Sequence, residues 1–514
     1  VTASLHPMPL EQVVRRIREQ VHVVAEPEGG ITAMTGEPGG HRVLATLPPL
    51  YPEWLGDRSF NERHGTRFPY VAGEMANGIA TVDLVVAMGK ADMLGFFGAA
   101  GLSLPRVEQA IVMIRAALGS RTNWGVNLIH APQHPEWEQG MADLLIREGV
   151  PTVSASAFME LTPPVVQLAT SGLRLDPDGR IVRPRQVFAK VSRPEVAEKF
   201  LSPAPPDIVA MLCAQGRLTA TEAELAAHVP VAEDLTVEAD SGGHTDNRPL
   251  VSLLPRILSL AARVAERAGY QRLVRIGAAG GIGTPHSMAA AFAAGAAYVV
   301  TGSVNQTCVE AGVSAAAKQL LAQADIADVI MAPASDMFEL GVKVQVLRRG
   351  TLFGNRANLL YELYRDFESL EAIPAPERDK LERTIFRASL AEIWDRTRRY
   401  WLDRDPTEVA RADTEPKHRM ALVFRWYLGR SSWWAIEGDD SRCADYQLWC
   451  GPAVGAFNDW VAGSFLADPA QRHAVQVARN LLEGAAVLTR AHQLRTYGVP
   501  VPSTAFDFAP RRLV

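Results

Sequence analysis

Between Phe68 and about Gly350 the sequence alternates short apolar runs with longer helical patterns, and this rhythm restricts the fold more than any other feature. The apolar runs fall at residues 70–73, 93–97, 124–129, 152–155, 187–191, 234–237, 273–276 and 297–301. Helical periodicity follows at 81–90, 106–118, 136–148, 163–170, 250–268, 285–294 and 309–324. Parallel strands need a crossover between them, so strand–helix alternation builds a parallel sheet of the α/β class. Eight such units predict a closed (β/α)8 TIM barrel, with an open doubly wound sheet as the competitor. A helical stretch at 206–228 interrupts the alternation before the sixth strand and reads as an insert lying over the rim.

At 514 residues the chain is too long for a single core. Residues 1–67 read as a prologue, with a helix at 12–23, short strands within 31–47 and the rigid stretch Leu47-Pro48-Pro49-Leu50-Tyr51-Pro52. The barrel is expected over 68–355 and a helical C-terminal cap over 356–514. Seven of the ten tryptophans lie between Trp394 and Trp460, so that part needs a core of its own. A net charge of −5 argues against a non-specific nucleic-acid binder. Four cysteines without CxxC or Cys/His spacing point to idle thiols and to no metal site. Charges throughout the first thirty residues argue against a signal peptide, and the apolar run 288–300 is too short to span a bilayer. The expectation is a cytoplasmic protein without a membrane partner.

Two glycine-rich loops carry the chemistry. Ala239-Asp240-Ser241-Gly242-Gly243-His244-Thr245-Asp246-Asn247-Arg248-Pro249 follows the sixth strand and delivers one histidine, two aspartates and an arginine at a strand end. His244 is the acid/base candidate, with Asp240 or Asp246 to tune it. Arg275-Ile276-Gly277-Ala278-Ala279-Gly280-Gly281-Ile282-Gly283 runs from the seventh strand into a helix, and Thr301-Gly302-Ser303 ends the eighth. Loops after the last two strands of a barrel commonly hold a phosphate on backbone N–H groups. The order G-x-x-G-G-x-G is not the dinucleotide fingerprint and no P-loop occurs, so a mononucleotide such as FMN fits better. Ala279, Gly280, Gly281, Gly302 and Ser303 would grip its phosphate. Gly73, Glu74, Met75 and Ala76 after the first strand, with Gly243, would lie against its ring. Asn127 would bond a ring carbonyl, and Lys190 would offset negative charge on the reduced ring.

These residues resemble the FMN-dependent class that includes nitronate monooxygenases and flavin-type enoyl-acyl-carrier-protein reductases, in which a G-G-H loop supplies a histidine and a G-G-I loop holds phosphate. The fuller likeness is to the PfaD-type trans-acting enoyl reductases of polyunsaturated fatty acid and polyketide synthases. It rests on LPPLYPEWLGDRSF (47–60), GEMANG (73–78), FFGAAGL (96–102), EADSGGHTDNRP (238–249), TGSVNQ (301–306), ASDMFELGVKVQV (334–346) and YQLWCGPAVGAFNDW (446–460). Glu74 departs from that pattern, where a smaller residue is expected. The resemblance implies bound FMN, NADPH (or NADH) as reductant, a 2-enoyl thioester delivered on an acyl carrier protein, and synthase modules as partners, with a homodimer left open. Arg396, Arg398, Arg399 and Arg404 offer a docking face for an acidic carrier. The rival expectations are a nitronate monooxygenase and a flavinless docking subunit.

Overall fold

The computed structural model describes residues 8–244 and 246–513. Eight strands close into a barrel in chain order: Tyr70–Ala72, Leu94–Phe97, Trp124–Ile129, Thr152–Ser156, Gln186–Val191, Asp234–Glu238, Arg275–Ala279 and Val299–Thr301. Every neighbouring pair is parallel, and Val299 opposite Tyr70 closes the ring. Parallel strands buried on both faces are mostly apolar, so seven of them stand out in the sequence, although Asn127, Ser154, Lys190 and Thr236 lie within them. The seventh starts two residues later than expected. Leu273 is exposed, and the strand is the small-residue run Arg-Ile-Gly-Ala-Ala. Its Gly277 is required by packing: a Cβ there would lie 2.3 Å from the Tyr298 ring.

The N-terminal end of the barrel is plugged. Helix Arg58–His64, capped by Asp57 and closed by Gly65, sets Phe60 against Tyr298 with ring centroids 4.5 Å apart. Phe60, Phe96, Phe188 and Tyr298 form one buried cluster. Asp234 and Arg275, the first residues of their strands, pair at 2.6 and 2.8 Å, and His64 Nε2 meets the same carboxylate at 3.0 Å. The end left for ligands is the C-terminal one.

The prologue differs from the helix expected at 12–23. Helix Leu10–Arg15 stops early, and Val21–Ala25 becomes the central strand of an antiparallel sheet with Ile31–Thr35 and Arg42–Leu47. The β-branched run Val21-His22-Val23-Val24 favours a strand over helical continuation. The insert also sits elsewhere than expected. Helix Pro194–Leu201 returns the chain to the N-terminal end, so helices Pro206–Ala214 and Ala220–Ala226 pack on the wall helix Pro163–Thr170 rather than over the rim.

The chain divides into two compact units. One holds the barrel: it runs to Asp240, resumes over Asp246–Ala311 and takes back the chain from Asp459 onward. In it helix Ala474–Thr496 lies along Pro285–Ala293, where Gly484 leaves room for the Pro285 ring; a Cβ would come within 2.6 Å. The other unit comprises Ser241–Thr245 and Gly312–Asn458, so the division does not follow the expected 355/356 boundary. It is built on the hairpin Val329–Pro333/Lys343–Leu347 and on helix Pro416–Glu437, whose residues Phe424, Tyr427 and Trp434 are buried. Among the described residues no helix is long and apolar enough to cross a membrane.

Candidate functional site

Gly280 and Gly281 adopt φ of +84° and +70°, values that favour glycine. A Cβ on Gly280 would lie 2.7 Å from the Ala239 carbonyl carbon, so this turn packs directly on the stem of the loop that follows the sixth strand. Gly281 and Gly302 differ from it. A Cβ on either would meet no atom within 4 Å. The amides of Gly281, Ile282 and Gly302 donate to no acceptor among the described residues, whereas those of Gly283 and Thr284 are taken by Ser287 Oγ at 3.1 Å. The seventh and eighth strands are neighbours, so the two loops leave from adjacent strand ends, and Gly281 and Gly302 each border open space. Helix Pro285–Ala293 starts there, behind the Thr284 capping box. Ala279 is buried and Ser303 opens the short helix Ser303–Gln306. Such a donor set fits an anion.

Across the mouth, Lys190 is held between two acids. Its Nζ lies 3.2 Å from Glu74 and 3.0 Å from Glu238, with side-chain exposures of 14%, 6% and 14%. Ser154 Oγ donates to Glu74 at 3.0 Å. Burial opposes the Lys190 charge, but the two carboxylates outweigh it and hold the ammonium above the usual lysine range. The lysine expected to offset a reduced ring is thus already matched by the chain's own carboxylates, and the unexpected Glu74 supplies one of them. Asn127 is also engaged: Oδ1 accepts from the amides of Ala99 and Ala100 at 3.0 and 3.2 Å, and Nδ2 donates to Ser156. Gly73 and Met75 lie in tight packing, since a Cβ on Gly73 would reach the Val300 side chain at 2.9 Å and one on Gly98 would overlap the Met75 carbonyl. Ala76 accepts from the Ile79 amide in the same turn.

The stem of the histidine loop is pinned on both sides. The Asp240 amide donates to the Arg248 carbonyl at 3.1 Å, and Asn247 Nδ2 donates to Asp240 Oδ1 at 2.8 Å. Asp246 makes a bidentate pair with Arg193, both contacts 2.7 Å, and accepts from Ser192 Oγ. The hydrogen bond from Arg193 holds the Asp246 carboxyl below the ordinary range, against its burial. Arg193 was not among the expected site residues.

The tip of that loop belongs to the second unit; Thr245 lies outside the described residues. Gly242 packs on the Cys450 backbone, where a Cβ would come within 2.7 Å, and the Gly243 amide donates to Ser241 Oγ at 3.4 Å. His244 Nε2 meets Asp336 Oδ1 at 3.2 Å. Desolvation of the Asp336 carboxyl, slight for a side chain 48% exposed, is outweighed by the hydrogen bond and charge of His244 and the charge of Arg425, so it titrates below the usual range. The carboxylate bonded to His244 here is therefore Asp336. Sequence reading missed it, although it lies within the quoted string 334–346.

A model of the nitronate monooxygenase family matches residues 58–353, and a model described as the inserted helical domain of [acyl-carrier-protein] S-malonyltransferase matches residues 367–446. The chain is 47% identical over 449 residues to a polyunsaturated fatty acid synthase polypeptide of Thraustochytrium sp., covering 86% of this chain and 30% of that protein. It is 43% identical over 445 residues to the polyketide biosynthesis protein PksE of Bacillus subtilis, covering 87% of this chain and 58% of PksE. It thus spans well under two thirds of either relative. Among solved structures, the enoyl reductase domain of MlnA, from the macrolactin biosynthesis cluster of Bacillus amyloliquefaciens, superposes with a TM-score of 0.83 at 38% identity, over 86% of this chain and 99% of that one. A FabK mutant from Thermotoga maritima shares the fold, with a TM-score of 0.51 at 18% identity.

Proposed function

The chain belongs to the nitronate monooxygenase family, in its PfaD-type enoyl reductase branch, and on that premise we propose that it is an FMN-dependent enoyl reductase acting in trans on 2-enoyl thioesters carried by an acyl carrier protein. The observation that carries this reading is the set of unspent amides at Gly281, Ile282 and Gly302, in two loops that leave from adjacent strand ends. A phosphate accepts hydrogen bonds from such groups, and the nearby helix N-terminus favours its charge. Met75, Ala76 and Gly73 would bed the ring. When bound, the flavin supplies the hydride that adds to the thioester β-carbon, its electrons coming from NADPH or NADH.

The remaining steps fall to the chain's own groups. Reduction of the double bond requires a proton at the α-carbon, and His244 is the donor in this account. Asp336, 3.2 Å from Nε2, orients the imidazole and stabilises its protonated form, so that the proton delivered leaves from Nδ1. Asp240 and Asp246 act one step away, by fixing the stem from which the loop departs. Lys190 is a positioning residue whose charge Glu74 and Glu238 temper. An acidic carrier protein would dock by charge on the exposed Arg396, Arg398, Arg399 and Arg404 of helix Leu390–Arg404.

The test is the cofactor itself. Purified protein should be yellow and release FMN on denaturation; a colourless protein that takes up no FMN would favour a docking subunit. Consumption of oxygen with a nitronate, without reduction of an enoyl thioester, would favour a nitronate monooxygenase.

A further inference from the structure

The helical unit contains a basic depression of which the enoyl reductase reading uses only Arg396. Asp445 is completely buried, and three guanidiniums converge on it: Arg356, Arg442 at 3.1 Å and Arg387 at 3.7 Å. Tyr427 Oη adds a donor at 2.7 Å. One carboxylate against three cations leaves positive charge in excess. Burial holds the Arg442 guanidinium below its ordinary range; Asp445 opposes that shift, and Arg387 and Arg356 add to it. Arg442 is also fixed in place. It stacks 3.9 Å over Trp434 and donates to the carbonyls of Ile385 and Phe386.

The backbone here is unusual as well. Glu382–Phe386 forms a π-helix, and Arg387 follows it with φ of +55°, a conformation rare for arginine. Both features collect at functional sites. They border a depression of about 300 Å³ lined by Trp426, Trp434, Arg387, Arg396 and Arg430, and by Asp439, whose carboxylate accepts from the Ser441 amide and hydroxyl. Among the described residues Arg396 makes no ion pair within 4.0 Å, and Arg430 reaches Glu437 only at 3.5 Å.

We propose that this depression binds a phosphate ester, with the guanidinium forks taking the phosphate and the tryptophans covering the organic part. Planar arginine forks match phosphate oxygens two at a time. The space suits a small molecule and is too small for a protein helix. The ester could be a free nucleotide or the phosphorylated arm of a carrier protein, and the chemistry is shared.

Calorimetry on the full chain, at constant ionic strength, would use adenosine 2′,5′-bisphosphate, 4′-phosphopantetheine and inorganic phosphate as probes. R396A/R430A removes two arginines at the edge; R398A/R399A removes equal charge from the helix that carries Arg396 and serves as control. At least one ester should bind saturably and tighter than inorganic phosphate. R396A/R430A should weaken it about tenfold or more and the control less than about twofold, with unchanged thermal unfolding in both. The tighter ester names the source. Absence of saturable binding, or equal losses in both variants, would overturn the proposal. The FMN content of the protein is read separately, so failure here leaves the barrel account standing, and the reverse also holds.

Discussion

Replacing Gly302 by alanine separates the phosphate cradle from the fold. Gly302 sits at φ −127° and ψ −68°, on the negative-φ side open to alanine, and the added Cβ would meet no atom within 4 Å. The apo-protein should therefore unfold within about 0.5 kcal/mol of the parent. The same methyl enters the open space beside Gly302, whose amide is one of the three unspent donors. Losing one hydrogen bond to a charged group costs about 1.5–3 kcal/mol, so the FMN dissociation constant should rise roughly 10- to 150-fold. The assay is quenching of flavin fluorescence on titration, run in parallel with riboflavin, which has the same ring and no phosphate. Riboflavin affinity should change little. Unaltered FMN affinity, or equal losses for FMN and riboflavin, would refute the placement of the phosphate.

Gly280→Ala makes the converse case: its Cβ would strike the Ala239 backbone at a φ of +84°, so stability should fall by about 2 kcal/mol or more, whether or not FMN is present. Lys190→Met would leave Glu74 and Glu238 buried without their cation and should cost about 3–5 kcal/mol by denaturant unfolding, whereas adding Glu74→Ala to it should recover part of the loss; no recovery would contradict the shared clamp. Asp234 is held below the ordinary range because His64 and Arg275 outweigh its burial. A depressed carboxylate contributes stability that is present above its unfolded value of about 3.9 and lost as pH falls through the folded value. Asp234→Asn should therefore lower stability at neutral pH and flatten the acid limb of the stability–pH curve, and a parallel, merely shifted curve would count against it. Asp336→Asn should lower the pH at which His244 loses its proton, seen as an acid shift in the profile of enoyl reduction with FMN binding unchanged; an unshifted profile would remove Asp336 as the positioning residue.

Much of the barrel was legible because strands covered on both faces are predominantly apolar, and because Pro and Thr/Ser mark helix starts such as Thr284-Pro285. The seventh strand was misplaced by two residues because Gly277, Ala278 and Ala279 carry little strand propensity; at Gly277 the neighbouring Tyr298 ring demands that smallness. The glycine loops were legible as backbone that exposes N–H groups. Their partners were not, because nothing local encodes them. Asp336 lies 92 residues from His244, and Glu74 reaches Lys190 only once the barrel closes. Asp246 looked like a neighbour of the histidine by sequence distance, yet Arg193, at the end of the preceding strand, captures it with two hydrogen bonds. The division of the chain was equally hidden, since the last long helix matches a barrel helix through Gly484 and Pro285 rather than through its neighbours in sequence.

The most direct test is a single anaerobic mixing experiment. Protein reduced with NADPH is combined with a 2-enoyl thioester on an acyl carrier protein, and the visible absorbance is followed. The account predicts that the yellow colour returns in proportion to the enoyl substrate added, with saturated thioester as product. A protein that stays bleached with the enoyl thioester but recovers its colour with oxygen, or one that shows no colour to bleach, would contradict it.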